Sequence, residues 1–263
     1  MNIIVTIKQV PDTNDVRIDP ITGTLIREGV PSIVNPEDRH AVELGLSLRD
    51  EAGGGKVTVI SMGPPQAEVA LRQVLAMGAD EAVLLSDRAF AGADTLATAC
   101  TLYHAVKKIG VFDLIICGRQ AIDGDTAQVG PQLAEFLNIP QVTYSVGARL
   151  ENSKTLLVKR MTDVGFQTIA VPLPALVTCL KEANRPRIPT LRGCMDAYRE
   201  RPFHVWDASY IGAPVDDIGL RGSPTQVRRT FQPSPRGNGF LLTGDAQDCV
   251  LRLVGLIHER GLV

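Results

Sequence analysis

"DLIICGRQAIDGDTAQVGPQLAEFLN", residues 113–138, runs from an apolar stretch through a small polar segment into a helical pattern. The first part reads as a buried strand over 113–118 and the last as a helix over 130–138. Strand, loop and helix in that order form the repeating unit of a parallel sheet. Pro131 is tolerated only in the first turn of a helix, so the regular helix starts near Gly130. The loop between admits two readings. Asp125 and Thr126 are good cap residues for the helix. Alternatively, the amides of Gly124, Asp125, Thr126, Ala127 and Gln128 converge near a helix N-terminus as a phosphate cradle. In a cradle Asp123 and Asp125 would repel the anion, so they must turn away or accept from a ribose hydroxyl or a loop amide.

The same unit recurs toward the N-terminus. "NIIVTI" (2–7), "KVTVISMG" (56–63) and "EAVLLSD" (81–87) read as strands, with helices over 35–52, 65–79 and 94–110. Asn35 is placed to cap the first helix, Pro36 suits its first position, and Glu37 and Asp38 face the positive end of its dipole. Gly78 ends the second helix. "GADTLATA" (92–99) offers a second cap or cradle, with Thr95 at the start of the third. The fold class is therefore α/β: a doubly wound, mostly parallel sheet with helices on both faces. In such sheets ligands bind outside the carboxyl ends of the strands. The loops that matter lie around Thr6–Val10, Ser61–Pro64, Asp87–Thr95 and Gly118–Gln128.

Past residue 140 the character changes. Residues 141–179 alternate and carry turn signals, like a small antiparallel excursion that returns to a buried strand, "ALVTC". Residues 182–206 are rich in Arg and Pro and read as an extended surface segment. Residues 212–240 are rich in Pro and Gly, lack helical periodicity and cannot build a core of their own. Residues 245–262 form an amphipathic pattern, with Val250, Leu253, Val254 and Ile257 on one face. This divides the chain into an α/β domain, 1–210, and an extended C-terminal arm, 211–263. The arm either folds back on its own domain or docks on a partner; irregular arms stabilise themselves poorly, which favours the partner.

Several classes are excluded. Hydrophobic residues make up 44% and charged residues 21%, enough apolar content for a real core. A net charge of −2 and 5% aromatics argue against nucleic acid or an anionic membrane as partner. No run of about 18 apolar residues occurs, and "MNIIVTIKQV" reads as a strand and not a signal peptide. The five cysteines lack C-x-x-C spacing, and Cys100, Cys117 and Cys179 sit in apolar surroundings, as reduced thiols in a cytoplasm do. There is no metal-ligand spacing, no G-x-S-x-G, no Walker A lysine and no G-x-G-x-x-G after the first strand. His40 reads as a surface histidine, and His104, His204 and His258 have no acid or Cys at meaningful spacing. No catalytic residue is assigned; nucleotide binding without self-contained chemistry fits best.

Taken together, "VTIKQVPDT", "NPEDRHAVE", "VISMGPPQAE", "LAMGADEAVLLSD", "GRQAIDGDTAQVGPQLAE", "PLPALVTC" and "NRPRIPTLRG" make the chain resemble, over its whole length, the beta subunit of electron transfer flavoproteins. The resemblance implies an obligate heterodimer with an alpha subunit, on which the arm is wrapped. In conventional members the beta site holds structural AMP and electrons pass from dehydrogenases to a quinone reductase. In electron-bifurcating members it holds FAD, which takes hydride from NADH. "AIDGDTAQVGP" and "SDRAFAGADTLATA" are similar to the bifurcating form, and the small residues Ala91, Gly92, Ala93, Gly124 and Ala127 leave room for a ligand longer than AMP. The partners then implied are an acyl-CoA dehydrogenase-type enzyme and a low-potential carrier, ferredoxin or flavodoxin. Nucleotide contacts are implied at Thr6, Asn35, Asp38, Met62, Asp94 and Thr95, and along the loop at Gly118, Arg119, Gln120, Asp123, Gly124, Asp125, Thr126, Ala127, Gln128 and Val129. Residues 189–199 match the loop that docks on dehydrogenases, with Leu191 as apolar anchor beside Arg192 and Met195. Asp196 and Glu200 dilute the positive charge that family members often carry after this loop.

Overall fold

The computed structural model describes residues 1–12, 31–228, 239 and 241–262. Along the chain the strands and helices are β1 (Asn2–Thr6), β2 (Gln9–Pro11), β3 (Ser32–Val34), α1 (Pro36–Glu51), β4 (Lys56–Met62), α2 (Glu68–Met77), β5 (Glu81–Leu85), α3 (Thr95–Ile109), β6 (Leu114–Gly118), α4 (Val129–Leu137), β7 (Gln141–Asn152), β8 (Thr155–Thr162), β9 (Gly165–Pro172), β10 (Ala175–Cys179), α5 (Leu191–Arg199), β11 (Phe203–Trp206), α6 (Ala208–Ile211) and α7 (Ala246–Glu259). A 3-10 turn, Pro65–Ala67, precedes α2 where one continuous helix was expected.

Nine strands form one sheet in the order β11-β5-β4-β1-β6-β10-β7-β8-β9. All pairs from β11 to β7 are parallel, and β7-β8-β9 form the expected antiparallel excursion. The period of two in the strands splits the core into two layers. Ile3, Val5, Val57, Val59, Leu114 and Ile116 face α1 and α2. Ile4, Ile60, Ile115 and Cys117 face α3 and α4. Strands buried on both faces read as continuous apolar runs, which is why β1, β4 and β6 were legible. The order reverses at β1: the chain moves to β4 and β5 on one side, then returns to β6 on the other.

Residues 182–206 are not an extended segment, as the sequence reading had it. They contain α5 and the edge strand β11, which pairs in parallel with β5. Thr190 accepts from the Gly193 amide and caps α5, and Gly193 lies so close to α2 that a Cβ would meet the Ala76 carbonyl at 2.5 Å. Local Arg and Pro content misled because tertiary pairing, not propensity, fixes both elements.

The chain divides into two compact units, Met1–Arg228 and Arg229–Val263. The first includes Ile211, Ala213 and Ile218, all buried in the α3/α4 layer, so the chain stays packed for some way past residue 210. The second contains α7, the expected terminal helix, capped by Asp245 accepting from the Asp248 amide.

Candidate functional site

In doubly wound sheets the ligand crevice lies outside the carboxyl ends of the strands where the order reverses, which here falls between β1 and β6. The β6–α4 loop, 119–128, the chain after β1 and the N-terminus of α1 meet there. Gly118 makes the closeness possible: a Cβ there would collide with Asp38 Oδ1 and come within 3.0 Å of the Asp38 nitrogen.

The N-terminus of α1 is bolted to this loop. Asn35 does not cap α1 by its side chain, contrary to expectation. Its amide nitrogen instead donates to the Gln120 carbonyl (2.9 Å), and its Oδ1 accepts from the Ile122 amide (3.1 Å). Glu37 accepts from the Gln120 amide (3.1 Å) and pairs with Arg119 (3.2 Å). The Arg119 amide donates to the Cys179 carbonyl, while its buried Nε has no partner among the described residues. Asp38 accepts from the Lys8 amide at 2.7 Å. Burial pushes its carboxyl up to about 7, with the neighbouring Glu37 charge acting in the same direction and hydrogen bonds from Asn35 and Lys8 opposing. Thr6 is buried opposite Cys117 in the β1–β6 register, and burial pushes the Cys117 thiol up to about 12 and so keeps it inert.

The loop itself is not a helix cap. Gln128, not Asp125 or Thr126, is the N-cap position of α4, and no side chain caps there. Helix α4 begins at Val129, with Pro131 within its first turn. The Gly124 and Asp125 amides close a turn onto the Ala121 carbonyl, so the cradle expected over 124–128 narrows to Thr126, Ala127 and Gln128. Asp125 (φ 48) and Ala127 (φ 53) are left-handed, each costing roughly 1–2 kcal/mol. Strain of this kind persists where surrounding contacts impose it, and alternating backbone hands make anion-binding concavities. Both carboxylates of the loop are tied down. Lys8 Nζ holds both oxygens of Asp123 (2.6 and 2.7 Å), and Gln120 Nε2 donates to Asp125 (2.7 Å). Asp123 is an exposed residue, yet its side chain is only 14% exposed, so its backbone is the part that faces out.

The α3 loop behaves differently. Asp94 is an N-cap: its Oδ1 accepts from the Leu96 and Ala97 amides, both at 3.0 Å. Its Oδ2 binds Thr225, and its amide donates to Ser223. Thr95 joins the two loops, donating to Gln128 Oε1 (2.9 Å) and accepting from Gln132 Nε2 (3.3 Å). Met62 and Val129 are half-buried against the α3/α4 layer. Lys8 and Gln132 escaped the sequence reading, although Lys8 lies in one of the four strand-end loops it singled out. His204, expected to lack an acid partner, reaches Glu81 at 3.0 Å across the β5–β11 edge, and His40 is half-buried against Asn184.

These residues suit a bound nucleotide. Open backbone surrounds Gly124, where a Cβ would meet nothing within 4 Å. The carboxylates are neutralised or turned, and two helix N-termini stand side by side. On α5, away from the crevice, Leu191 is 81% exposed and Arg192 and Met195 are also exposed. Leu191, Met195 and Tyr198 follow helical spacing along one outward stripe.

The fold is that of a doubly wound α/β protein, with its topological switch point between β1 and β6. The family model "Electron transfer flavoprotein domain" matches residues 22–209. The chain is 53% identical over 263 residues to the electron transfer flavoprotein subunit beta of Thermoanaerobacterium thermosaccharolyticum, covering 100% of both chains. It is 52% identical over 264 residues to the caffeyl-CoA reductase-Etf complex subunit CarD of Acetobacterium woodii, again covering 100% of both. With the acryloyl-CoA reductase electron transfer subunit gamma of Anaerotignum propionicum it shares 45% over 271 residues, covering 100% of each. The chain belongs to the electron transfer flavoprotein family, as a beta subunit.

Proposed function

We propose that this chain, paired with an alpha subunit, binds FAD in the β1/β6 crevice and works as the bifurcating type of electron transfer flavoprotein. In that role it accepts hydride from NADH in the cytoplasm and passes electrons between an acyl-CoA dehydrogenase-type partner and ferredoxin or flavodoxin. The observation that carries this reading is the β6–α4 loop: open at Gly124, with its carboxylates tied back and joined to α3 through Thr95 and Gln128. That two relatives are named for caffeyl-CoA and acryloyl-CoA reductases supports an acyl-CoA partner. No helix among the described residues is long and apolar enough to cross a membrane, in keeping with a carrier that meets its partners in solution.

Bound FAD would supply the redox chemistry, taking electrons in pairs and releasing them singly. The chain's own residues bind and orient. Thr126, Ala127 and Gln128 offer amides to a phosphate at the start of α4. Asn35 and Glu37 hold the loop that carries them, and Asp38 holds the backbone of Lys8. Leu191, Arg192 and Met195 form the surface through which the dehydrogenase docks. The test is the nucleotide content of the purified heterodimer, counted after denaturation. Two FAD and no AMP per heterodimer is the expected result. One FAD with one AMP would make the chain a conventional carrier subunit and overturn the bifurcating reading.

A further inference from the structure

Lys8 stands where three segments meet. Its amide donates to the buried carboxylate of Asp38 at 2.7 Å, which fixes its backbone against the start of α1. Its Nζ reaches across the crevice to both oxygens of Asp123, at 2.6 and 2.7 Å. The ion pair therefore connects the chain after β1 to the β6–α4 loop, 115 residues away in sequence. No other cation pairs with a loop carboxylate among the described residues; Asp125 is held by the neutral amide of Gln120.

The charge arithmetic of the loop makes this pair consequential. A nucleotide phosphate approaching Thr126, Ala127 and Gln128 meets two carboxylates close by in sequence, Asp123 and Asp125. Left unpaired, these carboxylates repel the anion that the neutral amides attract. Lys8 cancels one of them and draws its side chain toward β1, leaving the loop backbone facing out.

We propose that Lys8 is the positioning residue of the nucleotide site: by neutralising and drawing back Asp123 it turns the β6–α4 loop from an acidic turn into a phosphate cradle. This rests on the reading of the crevice as a nucleotide site. Lys8 acts on the ligand through Asp123, so removing the carboxylate's charge replaces the need for the lysine.

The experiment uses the heterodimer with its alpha subunit, stripped of beta-site nucleotide and titrated with FAD, and separately with AMP, by fluorescence and calorimetry. Lys8→Met is expected to weaken FAD binding at least tenfold, Lys8→Arg to stay within about threefold of wild type, and Lys8→Met/Asp123→Asn to recover most of the loss. Melting temperatures of all variants report folding, and Asp123→Asn alone serves as the control for the loop. Full affinity in Lys8→Met overturns the proposal, and so does a double variant no better than the single one. A folded wild-type heterodimer that binds neither FAD nor AMP at this site would instead overturn the nucleotide reading itself.

Discussion

The loops leading into α3 and α4 are written in the same letters, Asp, Thr, Gly and Ala, at the same edge of one sheet, yet they are built to opposite ends. In the α3 loop every acceptor of Asp94 is consumed: one oxygen caps the helix, the other holds Thr225. In the α4 loop no side chain caps the helix, two residues take left-handed backbone, and the carboxylates are pulled aside by Lys8 and Gln120. Composition cannot separate a capped helix start from an uncapped one; what separates them is where the carboxylate's hydrogen bonds go.

The largest perturbation should come from beneath the α4 loop. Gly118→Val would drive a side chain into Asp38 and the backbone before it, and is expected to destabilise by about 3 kcal/mol, overpacking with no room to relax. A thermal melt checks it; an unchanged midpoint would mean the crevice floor is looser than drawn. Next comes occupancy. Thr126→Arg fills the cradle with side chain and should empty the beta nucleotide site while leaving the melting temperature of the nucleotide-free protein within a degree or two, since Thr126 is exposed. Retained nucleotide would collapse the distinction between the two loops.

Asp94→Ala should do the reverse. Loss of a cap on two amides costs about 1–2 kcal/mol and loosens residues 223–225, without abolishing nucleotide binding. If it empties the site as Thr126→Arg does, the α3 loop is a ligand wall and not a cap.

The finest test is pH, where the two carboxylates should act with opposite sign. Burial, with Glu37 adding, raises Asp38 from its ordinary 3.8 to about 7. The folded chain then holds a proton that the unfolded chain releases near 3.8. The stability this brings is complete below about pH 4 and is lost as pH rises to about 7, at no more than ~1.4 kcal/mol per pH unit. Asp94 is different: burial pushes it up, but hydrogen bonds from Thr225, Ala97 and Leu96 outweigh that and leave it below its ordinary value. Its contribution is present above about pH 4 and lost as pH falls through its lowered folded value. Denaturant titrations of wild type, Asp38→Asn and Asp94→Asn from pH 3 to pH 8 should show the neutral-range slope vanish in the first variant and persist in the second.

The sequence by itself determined the doubly wound sheet, because β1, β4, β5 and β6 are buried on both faces and must be written as short apolar runs between amphipathic helices. It also determined which loops lie at the ligand edge, since the carboxyl end of a parallel strand follows from chain direction alone. Family membership was equally legible, carried by motifs strung along the chain. What it could not determine depended on partners distant in sequence. Asn35 reads as a cap but spends its amide on Gln120 and Ile122, Asp94 reads equally as cap or cradle and is found capping α3 and bonding Thr225, and α5 and β11 hide in an Arg- and Pro-rich stretch until α2 and β5 hold them in place. Local propensities amount to a few tenths of a kcal/mol per residue, whereas a buried donor or acceptor left unpaired costs one to three. Tertiary structure therefore decided where each polar side chain points, and with it which of two similar loops leaves its helix N-terminus without a side-chain cap.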